Sequence, residues 1–122
     1  MILVLLMFAG CCALGAALRY VADTLLPSHG ILLVNVLGSL IAGAVFAAVW
    51  GAGASESTTM FLATGLAGSL TTFSTVSLAA GKALLERRYR TTLSTLLLHY
   101  GASLTAATLG YLAIAWLTST AM

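Results

Sequence analysis

Residues 64–75 read TGLAGSLTTFST. They lie within Ser57 to Gly81, a stretch of 25 residues that contains no charge. That length is enough to cross a bilayer. Yet ten of its side chains carry hydroxyls, from Ser57, Thr58, Thr59 and Thr64 to Ser77. Gly65 and Gly68 weaken a helix here, and Ser69, Thr71 and Thr72 offer the backbone competing hydrogen bonds. Two readings stand side by side. Either the helix is intact and its hydroxyls bond back to the preceding turn, or it is broken near the midplane. A break frees amides and carbonyls that lipid cannot satisfy, so it needs an ion or a cavity to face.

The rest of the chain supports a membrane setting. It has 122 residues, 61% hydrophobic and 7% charged, with a mean hydropathy of +1.08. A soluble domain averages about 25% charged residues. The charges punctuate the sequence: Arg19 and Asp23, then Glu56, then Lys82 to Arg90. Between them we expect four transmembrane helices, at roughly 2–23, 30–50, 58–82 and 93–118, forming one all-α integral membrane domain over residues 1–122. The joints are short. Pro27 to Gly30 makes the first turn, and Gly51 and Gly53 open the second loop. Ala9-Gly10-Cys11 faintly resembles a lipoprotein cleavage site. No Lys or Arg precedes the apolar run, however, and the run continues to Leu18, so cleavage is not expected.

Enzyme chemistry is thinly supplied. The only acids, Asp23, Glu56 and Glu86, sit at expected span ends. His29 is in a turn, and His99 is alone inside span four. Cys11 and Cys12 point to different helix faces, which suits packing better than a metal site or a disulfide. No catalytic or phosphate-binding motif is present. The basic cluster at 82–90 reads as a cytoplasmic loop rather than a nucleic-acid contact.

Within the spans three polar features stand out. Asn35, early in span two, either bonds between helices or lines a solute path; its spacing does not choose. Phe73 lies beside the hydroxyls of span three, and a ring edge carries partial positive charge that attracts a small anion. Thr95, His99 and Ser103 recur every four residues and share one face of span four.

The residues Gly15-Ala-Ala-Leu-Arg19-Tyr20, Asn35-Val-Leu-Gly38 and Thr64 to Thr75 together resemble the small fluoride channels called Fluc or CrcB. The resemblance covers nearly the whole chain. It implies a fluoride-selective channel subunit in a prokaryotic plasma membrane, passively exporting fluoride from the cytoplasm and so reducing its toxicity. It also implies an antiparallel dimer whose broken third helix holds a structural sodium ion at the interface. Carried over, backbone carbonyls of Gly68 and Thr71 bind sodium. Asn35 and Phe73 face the fluoride pore, as do the hydroxyls of Thr72 and Ser74. Ser103 and His99 fall on the family's span-four track, where Tyr100 replaces His99 if the alignment shifts by one. Arg19 is the basic residue at the helix end.

Two positions depart from that family's pattern. A second phenylalanine usually follows three residues after the first; here it is Val76. A glutamate often follows three later; here it is Ala79. These departures leave a non-conducting accessory subunit as an alternative. A small multidrug-type proton antiporter is the other, disfavoured because span one holds no acid before Asp23. All five basic residues fall on the side of the first turn and the third loop. The positive-inside rule then makes the loop between spans three and four cytoplasmic and both termini external. Such a bias fits a partner that is an oppositely oriented paralogue, with lipid, fluoride and sodium as the other partners.

Overall fold

A computed structural model describes residues 1–120 of the chain, and it is helical throughout, with no strand among the described residues. Helix α1 runs Ile2–Leu25 and α2 runs Gly30–Ala52. Helix α3 covers residues 56–70, α4 runs Phe73–Leu85, and α5 runs Tyr89–Thr120. Among the described residues, four stretches are long and apolar enough to cross a membrane: Ile2–Leu25, Gly30–Gly51, Glu56–Leu85 and Tyr89–Thr120. The third joins α3 to α4. This is a multi-pass membrane protein, and its helices extend a few residues past the expected limits at most ends.

The closest helix pairing is α2 against α5. A Cβ at Gly43 would collide with the backbone of Ala107, and one at Gly110 with the carbonyl of Leu40. The missing side chains let two backbones approach, the usual way helices pack in lipid, where the hydrophobic effect gives no drive. Val45, Ala47 and Ala106 complete this small-residue core. Most large apolar side chains point outward instead, including Leu3, Leu5, Phe46, Trp50, Leu104 and Trp116. A fold that buries its small residues and exposes its leucines is built for a lipid solvent.

The turns follow the sequence. Pro27 lies between α1 and α2, where the Gly30 amide bonds to the Leu26 carbonyl at 2.6 Å. Helix α4 ends with the amide of Arg88 on the Ala83 carbonyl at 2.8 Å and that of Arg87 on Leu84 at 2.9 Å. That double bond is a Schellman stop. It puts Arg87 at φ 58, the one non-glycine residue with positive φ among those described.

Span three is broken, and the position of the break refines the sequence reading. Gly68 is helical, at φ −62 and ψ −37. The extended residues are Thr71 (φ −81, ψ 157) and Thr72 (φ −145, ψ 121). The glycines therefore loosen the helix, and the threonines take it apart one turn later. Before the break, Thr59–Ala67 forms nine residues of π-helix, which no residue type in this stretch foretells. Ser69 bonds back to the carbonyls of Gly65 (2.6 Å) and Leu66 (3.1 Å) just after it. Such back-bonding by serine is the intact-helix behaviour, and here it occupies the turn before the break.

Candidate functional site

Two side chains from neighbouring helices hold the break open. Asn35, on α2 and only 7% exposed, pairs with the main chain of Thr72. Its Oδ1 accepts from the Thr72 amide at 2.7 Å, and its Nδ2 donates to the Thr72 carbonyl at 3.2 Å. Arg19, on α1, donates from Nη1 to the Thr71 carbonyl at 3.2 Å. Two peptide groups that would be stranded in hydrocarbon thus receive protein partners. Gly38 makes the approach possible, since a Cβ there would strike the Thr71 methyl. Thr72 then starts α4, its Oγ1 accepting from the Thr75 amide at 3.4 Å as an N-cap.

The clamp has a second effect. In an unbroken helix the Thr72 amide would bond to the Gly68 carbonyl. Asn35 takes that amide, and the Gly68 carbonyl keeps only a long contact, 3.4 Å, from the Thr71 hydroxyl. Gly68 is exposed, and with Gly38, Ser39, Ala42, Ala63 and Thr71 it borders a shallow hollow of about 150 Å³. Among the described residues no three His, Cys, Asp or Glu side chains gather, and the oxygens on this face are main-chain carbonyls and the hydroxyls of Ser39 and Thr71.

Four of the expected pore residues meet in one cavity of about 180 Å³: Asn35, Thr72, Phe73 and Ser103, together with Ser39 and Tyr100. The Phe73 ring is 72% exposed and stacks on Tyr100, with centroids 5.7 Å apart at 27°. The Tyr100 hydroxyl lies 3.5 Å from Ser77 Oγ. Ser74 faces a separate recess of about 250 Å³ that also holds Arg19, Asp23 and Thr75. His99 lies in a third space of about 220 Å³ with Asp23, Ser28, Thr95 and Val76. Val76 is buried to 2%, inside the protomer rather than beside the exposed Phe73 ring.

The structure therefore puts Tyr100, not His99, against Phe73. The stripe of Thr95, His99 and Ser103 is divided between two cavities. Sequence reading missed the role of Arg19 as a backbone clamp, for which a lone arginine gives no signal. It also missed Ser39, although Asn35 and Ser39 are four residues apart and share a face.

Residues 5–111 match the sequence pattern of a family described as CrcB-like protein, Camphor Resistance (CrcB). Among curated proteins, the chain is similar to the "Fluoride-specific ion channel FluC" of Pyrococcus furiosus. The two are 34% identical over 103 residues, covering 80% of this chain and 84% of that one. It is also similar to "Fluoride-specific ion channel FluC 1" of Leifsonia xyli subsp. xyli, 37% identical over 124 residues, covering 93% and 90%. The protein of the first name from Psychrobacter cryohalolentis is 37% identical over 108 residues, covering 81% and 86%.

Proposed function

Since this chain belongs to the CrcB family, a family of ion channels rather than enzymes, we propose that it is a subunit of a fluoride-selective channel that passively exports fluoride from the cytoplasm. The observation that carries this reading is the cavity at the break. A fluoride ion sheds water only where fixed donors replace its shell. The hydroxyl-bearing residues Thr72, Ser39 and Ser103 border one small space with the edge-bearing ring of Phe73. Asn35 has two amide hydrogens, and the Thr72 carbonyl uses one. Neutral donors attract the ion without the grip of a lysine, as conduction requires.

We read the protein as an antiparallel dimer with a structural sodium ion at its interface. The residues present fit such an ion. The Gly68 carbonyl is released from its helix at an exposed residue, and the Thr71 carbonyl has a second lone pair beyond the one Arg19 engages. Neutral carbonyl oxygens suit a hard monovalent cation. Two oxygens from one chain are too few to enclose it, so a second subunit would complete the set. When bound, the ion would tie the two breaks together. The small residues Gly38, Ser39, Ala42 and Ala63 around Gly68 support close approach by a partner helix.

The basic residues support one orientation, with the loop after α4 in the cytoplasm and both termini outside. With Val76 and Ala79 in place of the usual aromatic and acid, an oppositely oriented paralogue is the fitting partner. Fluoride efflux from vesicles tests the reading. The chain alone, the paralogue alone and the two together should give little, some and most flux. No flux in any arm would refute the channel reading. Equal flux with the paralogue alone and with both would favour an accessory subunit.

A further inference from the structure

The space around His99 differs in kind from the cavity at Phe73. At about 220 Å³ it has room for several waters. Its polar wall comes from Asp23 at the end of α1, Ser28 in the turn, Thr75 on α4, and Thr95 and His99 on α5. Val76 closes its inner side. The recess that holds Arg19, Thr72 and Ser74 shares Asp23, Ile31 and Thr75 with it. The two spaces adjoin, and together they make a polar trough from the broken turn to the end of α1.

His99 stands out within this trough. Its Nδ1 is the one buried side-chain nitrogen or oxygen without a hydrogen-bond partner among the described residues. That nitrogen is shut off from the chamber as well, so the rest of the imidazole ring is what borders it. The charges that face it are few. Helix α1 contributes Asp23. The turn, α2 and α4 contribute no charged residue to the chamber, and α5 contributes none besides His99. Arg19 lies in the adjoining recess with Tyr20, its guanidinium held at the Thr71 carbonyl. Asp23 borders both spaces, so with a neutral imidazole the trough carries one negative charge, from Asp23, and one positive charge, from Arg19, and an imidazolium makes it net positive. Histidine is the side chain that makes this change near neutral pH.

We propose that His99 is the proton-responsive residue of the anion route: its protonated imidazole holds a small halide in the chamber and adds a positive charge opposite Asp23, so that fluoride conduction rises as the pH falls. The proposal rests on the reading of the chain as a fluoride channel. It assigns to the histidine a role that the Phe73 cavity does not need, and it makes Asp23 an electrostatic brake.

Fluoride efflux from vesicles holding the chain with its paralogue, measured from about pH 8 to about pH 5.5, provides the first test. Protein-free vesicles are subtracted, because undissociated hydrogen fluoride crosses lipid. Flux through the intact protein should rise roughly tenfold across that range. His99→Gln should flatten the profile, and Asp23→Asn should raise the flux at the alkaline end. A His99→Gln protein that keeps the full pH profile would overturn the proposal. The second test does not need conduction. Fluoride should shift the imidazole resonances of His99 at about pH 6 and leave them unmoved at about pH 8, with His29 as the internal reference. Unmoved His99 resonances under both conditions would also overturn it. Vesicles that pass no fluoride while His99 still responds would remove the channel reading and keep the binding site. Normal but pH-independent flux would do the reverse.

Discussion

The side-chain amide of Asn35 pairs with both main-chain groups of Thr72, accepting at 2.7 Å and donating at 3.2 Å, across a gap of 37 residues. One residue thereby stands in for the missing turn of span three. Asn35→Asp separates the two bonds. The acceptor for the Thr72 amide survives, while the donor to its carbonyl becomes a negative charge beside an anion path. Fluoride efflux should fall at least tenfold in this variant. Asn35→Ala loses both bonds and leaves a buried peptide unpaired, at a cost of about 1–3 kcal/mol. Its melting temperature in detergent should drop well below that of the unaltered protein. Wild-type flux in Asn35→Asp would remove this residue from the pore.

Phe73 presents most of its ring outside the protomer, so its packing within the chain contributes little. Phe73→Ile keeps most of the apolar volume but has no polarised edge. Efflux should decline by roughly tenfold or more with a melting shift of only a degree or two. Parallel loss of flux and stability would mean that the ring acts as packing alone.

The sodium reading predicts that exchanging sodium for a large organic cation destabilises the dimer and leaves the separated subunit unaffected. The ligands would be main-chain oxygens at Gly68 and Thr71, so the ion itself is the variable to change. Thermal melting of the purified dimer in matched sodium and N-methylglucamine buffers is the measurement. Identical melting curves would count against an ion at the interface.

Arg87 has a left-handed backbone at the Schellman stop of α4. A side chain there costs on the order of 1 kcal/mol. Arg87→Gly should recover about that amount and raise the melting temperature. A lower melting temperature would show that the guanidinium makes a contact in the assembled protein that outweighs the strain.

Orientation is checked with a tag at the C-terminus, after Met122. One population, reachable from outside intact cells, is expected. Equal internal and external populations, with full efflux from this chain alone, would make it a dual-topology homodimer.

Four spans were legible in the sequence because composition and charge punctuation are strong signals in lipid, whereas the residues of span three left an intact and a broken helix side by side and only the family resemblance chose the break. The place of the break was read less well. The sequence marks Gly65, Gly68, Ser69, Thr71 and Thr72 alike as weak points; the helix opens at the two threonines while both glycines stay helical, because tertiary partners rather than propensity decide where a helix opens. Those partners lie far off in sequence, and nothing in Thr71 or Thr72 announces that Arg19 and Asn35 will reach them. The span-four stripe was also only partly legible. A period of four places Thr95, His99 and Ser103 on one face, but not which cavity each meets. The stacking of Tyr100 on Phe73 depends on the rotation of α5, which side-chain chemistry alone does not fix.

The two clamps also have an order in time. Arg19 precedes its acceptor by 52 residues and Asn35 by 37. At about 5–20 residues per second of synthesis, both donors leave the ribosome some seconds before the peptide groups they will hold. When span three arrives, the helices bearing its partners are already made. The broken segment can be captured as it is delivered, and its exposed amides need not wait in lipid for a helix yet to be translated.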